Sequence, residues 1–166
     1  MNNSIVTFNW ASLAEGLYFW NAIANDGTDN ASSETYFFTI DMTAPSVSNA
    51  QVNSISVIQN DFICINATAT DSSGIDKVWA YITYPNATQS NVTMSDIGSC
   101  AGSSGDNIFG IEINVGSTVG NLTIHTSYAN DTLRNLGYQN PWPALNVTVM
   151  TSPPHCPSSC SRNQSY

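Results

Sequence analysis

Apolar and polar residues alternate along this chain in short runs, and no segment holds an apolar 3.6-residue period over three turns. Helices are therefore not expected. Period-2 runs rich in Val, Ile, Thr, Tyr, Phe and Trp predict strands over residues 5–10, 16–25, 34–41, 47–58, 62–71, 76–84, 91–96, 107–115, 120–129 and 144–150. Turn clusters lie between them, among them Asn25-Asp26-Gly27, Asp71-Ser72-Ser73-Gly74 and Gly102-Ser103-Ser104-Gly105. Strands of this length and spacing predict an all-β, antiparallel sandwich or barrel.

The pattern repeats. Ala24-Asn25-Asp26 with Asn30 recurs as Ala129-Asn130-Asp131 with Asn135, an offset of 105. Met42-Thr43-Ala44-Pro45 recurs as Met150-Thr151-Ser152-Pro153, an offset of 108. Each copy reads as strand, Asp turn, strand and Pro exit. An Asp at a strand end accepts backbone N–H groups two and three residues on. Pro cannot donate to a ladder and suits a module boundary. A period near 105 is the size of one immunoglobulin-like (Ig-like) sandwich. Three segments follow: 1–45 with about three closing strands of such a module, 46–150 as a complete sandwich, and 151–166 as a Pro/Ser/Cys-rich tail or linker. Half a sandwich leaves apolar side chains uncovered, among Phe8, Trp10, Tyr18, Trp20, Phe37 and Phe38. The expectation is that another chain, or polypeptide upstream, supplies the missing strands.

The run Leu13-Ala14-Glu15-Gly16-Leu17-Tyr18-Phe19-Trp20, then Ala24-Asn25-Asp26 through Asn30, then Phe38-Thr39-Ile40-Asp41 to Pro45, resembles the closing strands of prokaryotic Ig-like repeats. Those repeats occur in bacterial and archaeal cell-surface and S-layer-type glycoproteins. Their usual signatures are an L-x-E-G-x-Y strand, an A-x-D-x-x-G-N turn and an F-x-I-D-x-x-x-P exit. This chain lacks the Gly just before Asn30. Ala69-Thr70-Asp71-Ser72-Ser73-Gly74-Ile75 resembles the turn between the second and third strands of the same modules. The resemblance implies an architectural or adhesive role, with no shared catalytic residues.

Charge narrows the partners. Only 9% of residues are charged, with three Lys plus Arg against twelve acidic residues and a net charge of -9. Lys77, Arg134 and Arg162 are scattered, so a phosphate backbone finds no basic patch. Anionic membrane surfaces are disfavoured likewise. No apolar run is long enough to span a bilayer. Met1-Asn2-Asn3-Ser4 has neither the basic start nor the apolar stretch of a secretion signal, which leads us to expect a fragment of a longer protein. Polarity comes instead from 20 Asn, 22 Ser and 16 Thr.

Those residues build nine N-x-S/T sequons, at Asn2, Asn30, Asn66, Asn86, Asn91, Asn121, Asn130, Asn146 and Asn163. Composition alone gives about 4.6 such triplets, so the motif is enriched about twofold. Glycans would hydrate a surface short of charge. The four cysteines, Cys64, Cys100, Cys156 and Cys160, show no metal-finger pairing and favour disulfides in an oxidising compartment. Of three connectivities, Cys64–Cys100 with Cys156–Cys160 is preferred. Zinc at His155, Cys156 and Cys160 is the lesser alternative, since a second ligand pair is missing.

Candidate chemistry is sparse. The carboxylates Asp71 with Asp76, and Asp106 with Glu112, invite comparison with a glycosidase pair, but turn capping accounts for such residues. No nucleophile elbow, P-loop or metalloprotease helix is present. Asp26, Asp29 and Asp71 lie in oxygen-rich turns of the kind a structural calcium would take. Trp142, between two prolines, is a candidate for stacking on sugar rings. The expectation is a non-enzymatic structural module of an extracellular, N-glycosylated surface layer, stalk or filament, assembled by strand complementation. It would partner itself or neighbouring Ig-like modules. The alternative is an adhesive or carbohydrate-binding module that meets cell-surface glycans.

Overall fold

A computed structural model describes residues 5–139 and 145–152. The chain divides into two compact units, Met1–Thr43 and Ala44–Tyr166. All regular structure among the described residues is β.

In the first unit, β1 (Gly16–Trp20) pairs antiparallel with β4 (Tyr36–Ile40). Between them, β2 (Ile23–Asn25) and β3 (Asn30–Ser32) form a small hairpin. The predicted strand over 5–10 is absent: those residues have no ladder partner and are exposed, Phe8 at 85% and Trp10 at 66%. A period-2 pattern marks a strand only where a neighbour can accept its hydrogen bonds.

The second unit holds β5 (Ser46–Val52), β6 (Ser56–Ile58), β7 (Phe62–Thr70), β8 (Ile75–Thr83), β9 (Gln89–Met94), β10 (Ile108–Asn114), β11 (Gly120–Asp131), β12 (Leu136–Gln139) and β13 (Leu145–Met150). One sheet runs β10-β7-β5. The other runs β6-β13-β11-β8-β9, with β12 also on β11. Every pairing is antiparallel except β6 with β13. In chain order, β5, β7 and β10 take the places of Ig strands A, B and E, and β8, β11 and β13 those of C, F and G. That strand order defines an Ig-like β-sandwich.

Alternation explains the core. Ile63, Ile65, Ala67 and Ala69 of β7 face Val78, Ala80 and Ile82 of β8, Leu122 and Ile124 of β11, and Val147 and Val149 of β13 in one buried cluster. Intervening residues of the same strands point outward. A one-residue slip would turn each set to solvent, so burial fixes the register.

Cys64 lies on the outer side of β7, between buried Ile63 and Ile65, and is bonded to Cys100 in the β9–β10 connection, with Cα atoms 5.3 Å apart. The bridge pins that connection onto the outer face of the β10-β7-β5 sheet. Gly110 makes room for it, because a Cβ there would run into the Cys100 carbonyl. This pairing matches the sequence expectation; Cys156 and Cys160 lie outside the described residues.

β12 escaped the sequence reading because Gly137 looks like a breaker. Its glycine serves close packing instead: a Cβ at Gly137 would run into the Pro45 carbonyl at the start of β5. Backbone on both sides cannot move like a side chain tip. Gly137→Ala should therefore cost at least about 2–3 kcal/mol by overpacking. Urea unfolding measures this, and a loss below about 0.5 kcal/mol would show the two strands free to part.

Candidate functional site

The repeated Asp turns serve the backbone. Asp26 Oδ1 accepts the N–H groups of Thr28 and Asp29 at 2.9 and 2.8 Å. Asp71 Oδ1 accepts that of Ser73 at 2.7 Å. Asp131, fully buried at the end of β11, accepts the N–H groups of Leu133 and Asn135 on Oδ1 and the Asn135 side chain on Oδ2. Burial alone would raise the Asp131 carboxyl; the donors from Asn135, Leu133 and Arg134 together hold it below its ordinary value. The N–H groups of Asp29 and Thr28 lower Asp26 likewise.

A lowered folded pKa means the ionised form stabilises the fold. That contribution is complete above the unfolded value, about 3.9, and is lost as pH falls through the folded value. The melting temperature of the sandwich should hold steady down to about pH 5 and fall below about pH 4. Asp131→Asn should lower it at neutral pH and flatten the acid fall. Acid curves of equal steepness for the two proteins would exclude Asp131 as the group responsible.

The first unit presents a ribbon of aromatic pairs. Tyr18 stacks on Phe38 at 5.4 Å and Trp20 on Tyr36 at 5.0 Å, with Phe19 and Phe37 at 6.4 Å on the other face. The Tyr18 hydroxyl donates to the Ala14 carbonyl four residues upstream, 2.8 Å away. A Tyr so tied at the start of a strand is the tyrosine corner that opens strand F of an Ig fold.

The pairing agrees with that assignment. Gly16, Tyr18 and Trp20 face Ile40, Phe38 and Tyr36, as Gly120, Leu122 and Ile124 face Val149, Val147 and Leu145. The ribbon thus pairs in the same register as the F and G strands of the second unit. Shifted by the 104 residues that separate Gly16 from Gly120, residues 5–10 fall on 109–114, within β10. In the second unit the matching positions Leu122, Ile124 and Val147 are 0% exposed, covered by the β10-β7-β5 sheet, and β8 takes the far edge of β11. In the first unit Trp20, Tyr36 and Phe38 remain 46%, 48% and 36% exposed. Among the described residues no strand takes the far edge of β1. A groove of about 730 Å³ runs along this face, lined by Val6, Phe8, Trp10, Leu13, Trp20 and Phe38. This uncovered ribbon and open edge form the surface best suited to interaction.

A second aromatic row crosses the outer side of the larger sheet. Trp79 stacks on Tyr128 at 5.4 Å with 13° between planes, and Tyr128 meets Tyr138 at 6.1 Å. The Lys77 ammonium lies 5.7 Å from the Trp79 ring centre. Cross-strand register sets this row, which is why the sequence did not reveal it; Trp79 and Tyr81 two residues apart were the available signal. Trp79 and Tyr128 each cover one face of the other, which leaves fewer open faces for stacking on sugar rings. Trp142 lies outside the described residues.

The other candidates disperse. Asp26 and Asp29 belong to one unit and Asp71 to the other. Asp71 and Asp131 bring carboxylate oxygens within 4.8 Å. Both Asp131 oxygens already accept N–H donors, as in a turn cap. Asp76 accepts the Asn130 amide at 3.2 Å, and Asp106 accepts the N–H groups of Ser103 and Ile108. His125 meets the Thr83 hydroxyl at 2.8 Å. His155 and the sequons at Asn2 and Asn163 lie outside the described residues. No helix among the described residues is long and apolar enough to cross a membrane.

No protein-family model matches the sequence. A search of curated proteins returns no match either. Among solved structures, the amphioxus IgVJ-C2 molecule is similar at a TM-score of 0.40 and 13% identity, over 81% of this chain. The chain spans 60% of the length of that structure. The fold assignment rests on the strand order, to which so distant a likeness adds nothing.

Proposed function

We propose that this chain is a structural part of an extracellular surface protein made of tandem Ig-like modules, in which strands of another module cover the aromatic ribbon of the first unit. The carrying observation is the contrast between positions that pair alike: Leu122, Ile124 and Val147 are buried, whereas among the described residues no sheet covers Tyr18, Trp20 and Phe38. Exposed strand edges beside apolar faces take up further strands. A disulfide, a surface poor in charge and an excess of sequons support placement outside the cell. A surface layer, stalk or filament subunit of prokaryotic type is the assignment the closing-strand motifs favour. The role is non-enzymatic, in keeping with carboxylates spent on turns.

Hydrogen exchange on the purified chain and on the protein in its native assembly tests this reading. Amides of Gly16–Trp20 and Tyr36–Ile40 should gain protection only in the assembly. Equal exchange in both states would overturn it.

A further inference from the structure

We infer that the sandwich is glycosylated on one side only: Asn86, Asn91 and either Asn121 or Asn146 accept glycans, while Asn66 and Asn130 remain bare. The inference rests on the extracellular placement proposed above and names where the modification falls.

Asn86 sits exposed in the turn joining β8 and β9. Its Oδ1 accepts both the N–H and the hydroxyl of Thr88, at 3.0 and 2.5 Å. The carbonyl of the acceptor amide is thus engaged within its own sequon, and Nδ2 has no partner among the described residues. Asn91, Asn121 and Asn146 are exposed on β9, β11 and β13, all on the outer side of the larger sheet.

The last two sequons interlock. Asn121 faces Thr148 and Thr123 faces Asn146 across the β11–β13 ladder, so the hydroxyl residue of each sequon is opposite the Asn of the other. The Thr123 hydroxyl donates to Asn146 Oδ1 at 2.9 Å. Diagonal neighbours on adjacent strands lie about 7–8 Å apart. A glycan on one therefore covers the other.

Asn66 and Asn130 differ in kind. Asn66 lies half-buried in the central strand of the smaller sheet, and its Nδ2 donates to the Cys100 carbonyl at 3.3 Å, under the disulfide-held connection. Asn130 is half-buried between β8 and β12; its Nδ2 donates to Asp76 and its Oδ1 is sealed from solvent. In the transfer, Nδ2 attacks C1 of a phosphate-activated glycosyl donor. The N–C1 bond forms, the C1–O bond breaks, the phosphate leaves with the electron pair, and Nδ2 gives one proton to a base of the transferase. Neither Asn66 nor Asn130 can offer its Nδ2 without breaking the contacts above.

The experiment is site-by-site occupancy on the full protein secreted from a host that performs N-glycosylation. Enzymatic deglycosylation in ¹⁸O-water marks each occupied Asn as labelled Asp for peptide mapping. Occupancy should be highest at Asn86, and at Asn66 and Asn130 under roughly one tenth of that. Single molecules should carry a glycan at Asn121 or Asn146, not at both. In the double variant Cys64→Ser/Cys100→Ser the connection is released, and Asn66 should become occupied while Asn130 stays bare. Asn66 or Asn130 modified as fully as Asn86, or no glycan at any site, would overturn the inference. So would an Asn66 that stays bare once released. A glycan-free protein whose ribbon still gains protection in the assembly would remove this inference and leave the proposed function standing.

Discussion

Reducing Cys64–Cys100 lowers the melting temperature of the sandwich by about 10–15 °C. The bridge closes a loop with a separation of 36 residues. Chain-entropy reasoning assigns such a loop about 3.5–4 kcal/mol. For a domain of this size each kcal/mol moves the midpoint by about 3–4 °C. The effect also has a local component, because the bridge alone ties the β9–β10 connection covalently to β7. Calorimetry with and without reductant, checked with the Cys64→Ser/Cys100→Ser variant, measures the shift. A change under about 3 °C would show that Gly110 packing and the Asn66–Cys100 hydrogen bond hold the connection unaided.

The two units should respond differently to heat. A peptide of residues 1–43 should show no cooperative unfolding, and deleting those residues should leave the transition of the sandwich within about 2 °C. Two paired strands and a hairpin of two three-residue strands cannot bury both faces of a ribbon, and isolated hairpins are marginal in water. No described residue of the first unit reaches the burial of the sandwich core. In the intact chain, β1 and β4 amides should exchange at least about a hundredfold faster than those of β7, β8 and β11. A sharp calorimetric transition in the 1–43 peptide would refute this and with it the need for a covering partner.

Much of the fold could be read from alternation, because burial forces period 2 on β7, β8 and β11. The offset of 105 between Ala24-Asn25-Asp26 and Ala129-Asn130-Asp131 marks two Asp turns, and a strand, β2 or β11, ends at each. Three features were not legible, each for a reason of tertiary context. Residues 5–10 carry the pattern of a strand but lack a partner. β12 carries a glycine whose purpose, the approach of Pro45, appears only in three dimensions. The Trp79–Tyr128–Tyr138 row depends on which residues the ladder sets opposite one another. The candidate site was partly visible as a surplus of aromatic residues near the start of the chain. That these pair as β11 and β13 do needed the Tyr18–Ala14 hydrogen bond and the register of β1 with β4.

The parallel pairing of β6 with β13 has a mechanical meaning. Ser56, Val57 and Ile58 lie beside Thr148, Val149 and Met150, with further bonds from Thr148 N–H to the Ile55 carbonyl and from Gln59 N–H to the Met150 carbonyl. In sequence, β6 lies near the start of the sandwich and β13 near its end. Tension applied between Ala44 and Ser152 draws parallel neighbours in opposite directions along their length. Every hydrogen bond of the patch then bears load at once, where an antiparallel hairpin pulled from its open end would unzip one bond at a time. Pulled this way, the sandwich should yield by shear at this patch, and the polypeptide between Cys64 and Cys100 should pay out no length even after the sandwich gives way.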